Sequence, residues 1–222
     1  MIQRLKQSGR LNITLLLIGM SLFCFGISMT RYIITETKVF LFLNWNLFLA
    51  FIPWLISTVI VLREMSNKFA LVILILTWLL FFPNSPYILT DLFHLRMHGS
   101  APIWFDLVVI LSFAWTGLVY GFRSLMDIEF LLKKYLSKQI ITFLTIIFMF
   151  IASFGIYLGR YLRWNSWDIV SNPFGLFNDV FDRILNPMDN PRAWGMTVLM
   201  GILLNMMYFS IKFIKPETQE TI

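Results

Sequence analysis

Charge is scarce in this chain. Asp, Glu, Lys and Arg make up 14% of its 222 residues, against roughly 25% in soluble domains. Hydrophobic residues reach 58%, with 23 Phe and 8 Trp, and that balance excludes a water-soluble globule. Cys24 is the single cysteine and lies in an apolar stretch. It forms no intrachain disulfide, and the redox compartment is not legible from it. No alanine precedes Ala50, so the basic-then-apolar start at Arg4, Lys6 and Arg10 lacks the small-residue cleavage site of a secretory signal. It reads as an uncleaved first span. No basic run exceeds Lys133-Lys134, and the formal net charge of +6 is assigned to membrane loop bias, not to nucleic acid. A Ser-His-Asp order, a phosphate-binding glycine loop and a haem-type His pair across spans are all missing. No internal repeat stands out.

Windows of about 20 apolar residues predict an all-α integral membrane protein, one transmembrane bundle domain over 1–222. The six spans fall near 11–29, 39–62, 69–89, 102–125, 140–158 and 194–213. An outer loop over 159–193 would carry an interfacial helix, and 215–222 would be a polar cytoplasmic tail. Of 18 Lys and Arg, eleven fall in segments on the side of the N-terminus and seven on the other. That bias places both termini in the cytoplasm. Asp127 and Glu129, beside Lys133 and Lys134, read as cytoplasmic loop charges.

The densest chemistry lies in FPNSPYILTDLFHLRMH, Phe82 to His98, which holds both histidines of the chain. Pro83 breaks the third span by removing a backbone donor and clashing with the preceding turn. Ser85-Pro86 then reads as an N-cap followed by proline at the first helical position, starting a helix from Pro86 to Met97. At about 100° per residue, Tyr87, Asp91, His94 and His98 would share one face, with Ile88, Leu92 and Leu95 opposite. An unwound turn at membrane depth is tolerated only inside protein or beside a cavity. Asn84 and the new helix N-terminus would suit an anionic group.

Three readings of the stripe stand side by side. Asp91 and His94 form an acid/base pair, or Asp91, His94 and His98 hold a divalent metal such as zinc with Asp106 or water as a further ligand, or the groups pair to hold a loop. Asp106, after Pro102 and Trp104, would serve the helix dipole or the same site.

The second polar segment is GRYLRWNSWD, Gly159 to Asp168, expected to continue the fifth helix. Arg160, Arg163, Trp164 and Trp167 would then share a face, with Asp168 one turn beyond Trp164. Snorkelling Arg in an aromatic belt explains this. An Arg160–Arg163 clamp for phosphate or carboxylate, flanked by Trp164, Asn165 and Asp168, is the alternative. Phe174, Phe177, Val180, Phe181 and Ile184 oppose Asn178, Asp179, Asp182 and Arg183, the pattern of a helix lying in the interface. The glycine pairs Gly117/Gly121 and Gly155/Gly159 suggest close helix approach within the bundle.

FPNSPYILTDLFHL, then Pro102-x-Trp104-Phe105-Asp106, then GRYLRWNSWD resemble an uncharacterised bacterial multi-pass membrane family, domain of unknown function 1361. The resemblance runs from about Phe69 to the last helix. It implies a bacterial plasma-membrane location and brings no assigned activity, cofactor or partner. Asp91, His94, Asp106, Arg160, Arg163, Asn165 and Asp168 fall in its motifs, and His98 does not.

The expected function is an outward-facing polar site that binds or processes an anionic or lipid-linked envelope molecule. Asp91 and His94 would be its catalytic pair, with Asn84, Tyr87, Asp106, Arg160, Arg163, Trp164, Asn165 and Asp168 around the substrate. A small-solute transporter using the broken helix and a non-catalytic subunit binding a partner protein are the alternatives. The bilayer is the one partner that composition itself names.

Overall fold

The structure is a computed structural model that describes residues 9–63, 67–95 and 101–214. Every regular element among them is helical. In chain order these are α1 (Leu11–Thr35), α2 (Phe42–Arg63), α3 (Lys68–Phe81), α4 (Asn84–Tyr87), a 3₁₀ helix (Ile88–His94), α5 (Ile103–Leu132), α6 (Lys138–Tyr161), α7 (Asp168–Ser171), α8 (Pro173–Leu185) and α9 (Pro191–Ile214). Six helical stretches among the described residues are long and apolar enough to cross a membrane: α1, α2, Lys68–His94, α5, α6 and α9. The protein is therefore an all-α membrane protein of six spans with a broken third helix. Contacts divide the chain into two units, Met1–Leu136 and Ser137–Ile222.

In the first unit, α5 is the central helix, against which α1, α2, α4 and the 3₁₀ helix pack. The α1–α5 seam is unusual for lipid, because it is clasped at both ends by buried ion pairs. Arg10 donates to both carboxylate oxygens of Asp127 at 2.7 Å. Arg31 reaches Asp106 through Nε at 2.6 Å and a terminal nitrogen at 3.2 Å. Twenty-one residues separate the two arginines, and twenty-one the two aspartates. At about 1.5 Å per residue that is about 31 Å, matching a hydrocarbon core of ~30 Å. That spacing suits one pair at each boundary of an apolar layer. Between them the seam is held by hydroxyl and thiol contacts, Ser21 with Tyr120 at 2.8 Å and Cys24 with Thr116 at 3.3 Å. Asp127 and Glu129 are buried, which corrects the loop-charge reading. Helix α5 continues through them to Leu132, and Asp127 is drawn inward by its partners.

In the second unit, α6 and α9 pack through Met149, Ala152, Ile156, Leu204 and Tyr208, with the Phe150 ring filling the space over Gly201. Helix α8 is capped by the Asn172 side chain, which accepts from Gly175 N–H at 3.1 Å, and Pro173 occupies its first turn. Its polar face is tied down. Trp164 Nε1 donates to Asp179 at 2.8 Å, Arg183 donates to Asp179 at 2.7 Å, and Trp194 Nε1 donates to the Arg183 carbonyl at 2.9 Å. The apolar face is exposed, with Phe174 at 82% and Phe177, Phe181 and Ile184 alongside it. An amphipathic helix fixed by its polar side and bare on its apolar side has the form of an interfacial helix.

The clasp yields a test. Asp127→Asn leaves Arg10 buried with its charge uncompensated, and loss of about 3–5 kcal/mol is expected, read from reversible unfolding in detergent. Unchanged stability would mean that Arg10 escapes to solvent.

Candidate functional site

The third span breaks where proline dictates, but the chain beyond the break is not the helix expected from Pro86. Asn84 donates to the Phe81 carbonyl at 2.9 Å and holds the turn closed. Helix α4 already begins at Asn84, so Ser85 is not an N-cap. Its hydroxyl donates across to the Ala50 carbonyl of α2 at 3.0 Å, next to the Leu49 carbonyl whose helical donor is lost at Pro53. The turn is seated on α5. A Cβ built on Gly117 would stand 2.8 Å from the Ser85 carbonyl oxygen, and one on Gly121 would stand 2.7 Å from Ser85 Cβ. The glycine pair is thus a seat for the Asn-Ser-Pro turn, close approach within the first unit. Irregular backbone at membrane depth is enclosed by protein here, as the absence of water requires.

Beyond α4 the chain tightens into the 3₁₀ helix, with about three residues per turn. The α-helical stripe of Tyr87, Asp91, His94 and His98 is therefore corrected. At three per turn Ile88, Asp91 and His94 align, so Asp91 shares its side with Ile88 instead of opposing it. Ile88 and Asp91 are both fully buried, and Tyr87 is rotated about a third of a turn away. His98 lies outside the described residues.

Asp91 is 0% exposed and accepts from Asn46 Nδ2 of α2 at 2.9 Å. His94 Nδ1 lies 3.3 Å from the Asp91 carbonyl oxygen and 3.8 Å from its Oδ1. The imidazole packs on Phe42, with ring centroids 5.1 Å apart, and its side chain is 43% exposed. A carbonyl oxygen only accepts, so a bond to it places the proton on Nδ1 and makes Nε2 the basic nitrogen. The group of Asn46, Asp91 and His94 is a buried carboxylate fixed by an amide, with a half-exposed imidazole held by the Asp91 backbone carbonyl and 3.8 Å from the carboxylate.

The Phe40 and Phe42 rings connect this group to the Arg31–Asp106 clasp. Arg31 lies 4.4 Å over the Phe40 ring, and Phe40 and Phe42 centroids are 6.3 Å apart. Asp91 and His94 therefore stand at the Arg31 end of the first unit. Asp106 is engaged by Arg31 through both oxygens, which orders that end instead of facing it with a free carboxylate. Among the described residues no three His, Cys, Asp or Glu side chains gather as a metal site.

Arg160, Arg163, Trp164, Asn165 and Asp168 belong to the second unit. Helix α6 stops at Tyr161 rather than running on to Asp168. Arg163 adopts a left-handed backbone at φ 62°, and Trp164 N–H folds back to the Leu158 carbonyl at 3.2 Å. Arg160 and Arg163 thus do not share a helix face. Trp164 is bound to α8, and Asp168 organises its own turn. Asp168 accepts from Asn165 N–H at 2.7 Å and Ser171 Oγ at 2.9 Å. The Asn165 backbone bond, with the Ser171 and Asn165 side-chain bonds beside it, holds the Asp168 carboxyl below the ordinary aspartate value.

Asn46 inside the second span requires a polar partner, but sequence reasoning did not find Asp91 as that partner. It also missed both clasps. A signal was available in the 3–4 spacing of Arg10, Thr14, Leu17, Ser21, Cys24, Ser28 and Arg31, one continuous helix face.

This fold and this group of side chains define a multi-pass helical membrane protein with an acid–imidazole pair at a helix break. Residues 45–207 match the family described as Protein of unknown function (DUF1361), and the chain belongs to it. The match takes in Asn46, Asp91, His94, Asp106 and Asp127 and leaves out Arg10 and Arg31. No curated protein and no solved structure matches the chain.

Two substitutions probe this geometry. Gly117→Ala sets a methyl against a backbone oxygen that cannot move aside. A loss of about 1–3 kcal/mol is expected, with faster amide exchange across 84–94. Arg163→Gly suits the left-handed backbone better than arginine, by about 1 kcal/mol. Thermal unfolding should show unchanged or higher stability, and a marked loss would show that the arginine side chain itself holds the turn.

Proposed function

We propose that Asp91 and His94 form an acid/base site for an anionic, lipid-linked molecule at the outer boundary of a bacterial plasma membrane. The observation that carries this reading is a fully buried carboxylate 3.8 Å from a half-exposed imidazole, on a broken membrane helix. Ionisable groups in membrane segments are costly and mark functional positions by default. Asp91 is fixed by Asn46, its backbone carbonyl orients the imidazole and its carboxylate stands 3.8 Å away as the counter-charge, so that Nε2 exchanges a proton with a group arriving from the membrane surface. The Lys and Arg bias supports an outward orientation for this end. Phe42 behind the ring and the exposed Phe93 beside it offer an apolar border suited to the lipid part of such a molecule.

The test is the lipid complement of the purified protein, read by mass spectrometry for wild type, Asp91→Asn and His94→Gln. An anionic lipid-linked species retained by wild type and depleted about tenfold or more in His94→Gln, corresponding to ~1.4 kcal/mol, supports the site. The unfolding midpoint of His94→Gln should stay near wild type, since the ring is half exposed. Identical lipid complements in all three proteins would sink the proposal.

A further inference from the structure

Among the described residues, the opposite end of the α1–α5 seam carries a charge imbalance. Arg10, 3% exposed, directs both terminal nitrogens at Asp127, and one of them also donates to Thr58 at 2.7 Å. Asp127 further accepts from Ser57 at 2.9 Å. Arg123, one turn earlier on α5, brings a terminal nitrogen within 3.7 Å of the same carboxylate. Among the described residues, one aspartate therefore faces two guanidinium groups. The Nε atoms of Arg10 and Arg123 are buried and have no hydrogen-bond partner among the described residues. Glu129 is also buried, but it lies about 200° around α5 from Asp127, on another side of the helix.

A surplus cation at the edge of a hydrocarbon layer requires a counter-charge. Arg10 is enclosed, whereas the Arg123 side chain is 29% exposed, so the cluster is open on the Arg123 side. It stands about 31 Å along the helices from the Arg31–Asp106 clasp, at headgroup depth. Lys133 and Lys134 lie further along the same chain and favour an anionic lipid surface there. We propose that the phosphate of an anionic phospholipid headgroup binds beside Arg123 and completes this cluster. The planar guanidinium fork matches a phosphate oxyanion in shape and charge.

The experiment follows thermal unfolding of the full chain in neutral detergent, with added phosphatidylglycerol, phosphatidylcholine or inorganic phosphate. Phosphatidylglycerol is expected to raise the wild-type midpoint by about 2–4 °C, and phosphatidylcholine to raise it far less. Arg123→Gln should abolish that preference, while Lys134→Gln keeps it. Without lipid, Arg123→Gln should be at least as stable as wild type, because it removes the surplus charge and leaves the Arg10–Asp127 pair intact. Three results would overturn the proposal. One is an equal phosphatidylglycerol response in Arg123→Gln. Another is an equal response of wild type to inorganic phosphate at matched concentration, which would assign the cluster to a soluble anion. The third is a lipid-free Arg123→Gln protein that is markedly destabilised, which would make Arg123 a structural partner of Asp127.

Discussion

Charge in a hydrocarbon layer has to be paired, and the first unit is organised around two such pairs. Arg10–Asp127 and Arg31–Asp106 close the two ends of one antiparallel helix pair. Their spacing of about 31 Å is close to the ~30 Å of a hydrocarbon core, which suits an ion pair at each boundary with water and headgroups. Breaking a buried pair costs far more than its net contribution to stability. The pairs therefore act chiefly as a register device. A shift of α1 against α5 by one turn would strand four charges at once, and the small hydroxyl and thiol contacts between the clasps are then held in place.

The same logic explains how a broken helix survives at membrane depth. Pro83 and Pro86 free backbone groups that lipid cannot satisfy, so the turn must be enclosed. Asn84 closes it locally, Ser85 ties it to α2, and Gly117 and Gly121 give it room on α5. The enclosure has a chemical result. A chain that leaves such a seat as a tight 3₁₀ helix places Asp91 inside, against Asn46, and brings His94 out to the boundary on the same side. The tight pitch sets Asp91 beside Ile88 in the interior, and His94, one turn further on the same side and last in the 3₁₀ helix, reaches the surface.

The second unit solves a different problem. Helix α8 ties its polar side to Trp164 and Trp194 and leaves its phenylalanines bare. A bare apolar face of this kind is unfavourable in water and favourable in a membrane interface. Trp164 and Trp194 of this unit serve as donors that fix the helix.

Composition and local stereochemistry made much of the fold legible from the residues alone. The six apolar spans, the break at Pro83, the amphipathic α8 and the family all depend on residue types and their periods, which act over a few positions. Local rules failed where the pitch changed, since the 100° step that groups Tyr87 with Asp91 does not hold in a 3₁₀ helix. They failed again at Arg163, where a non-glycine residue took a left-handed turn and ended α6 early. Long-range packing made Asp127, 117 residues from Arg10 in the chain, a buried clasp and not a loop charge. Packing likewise paired Asn46 with Asp91, 45 residues away. Such contacts form because lipid offers polar groups no other partner, and which partner they find depends on how the helices meet.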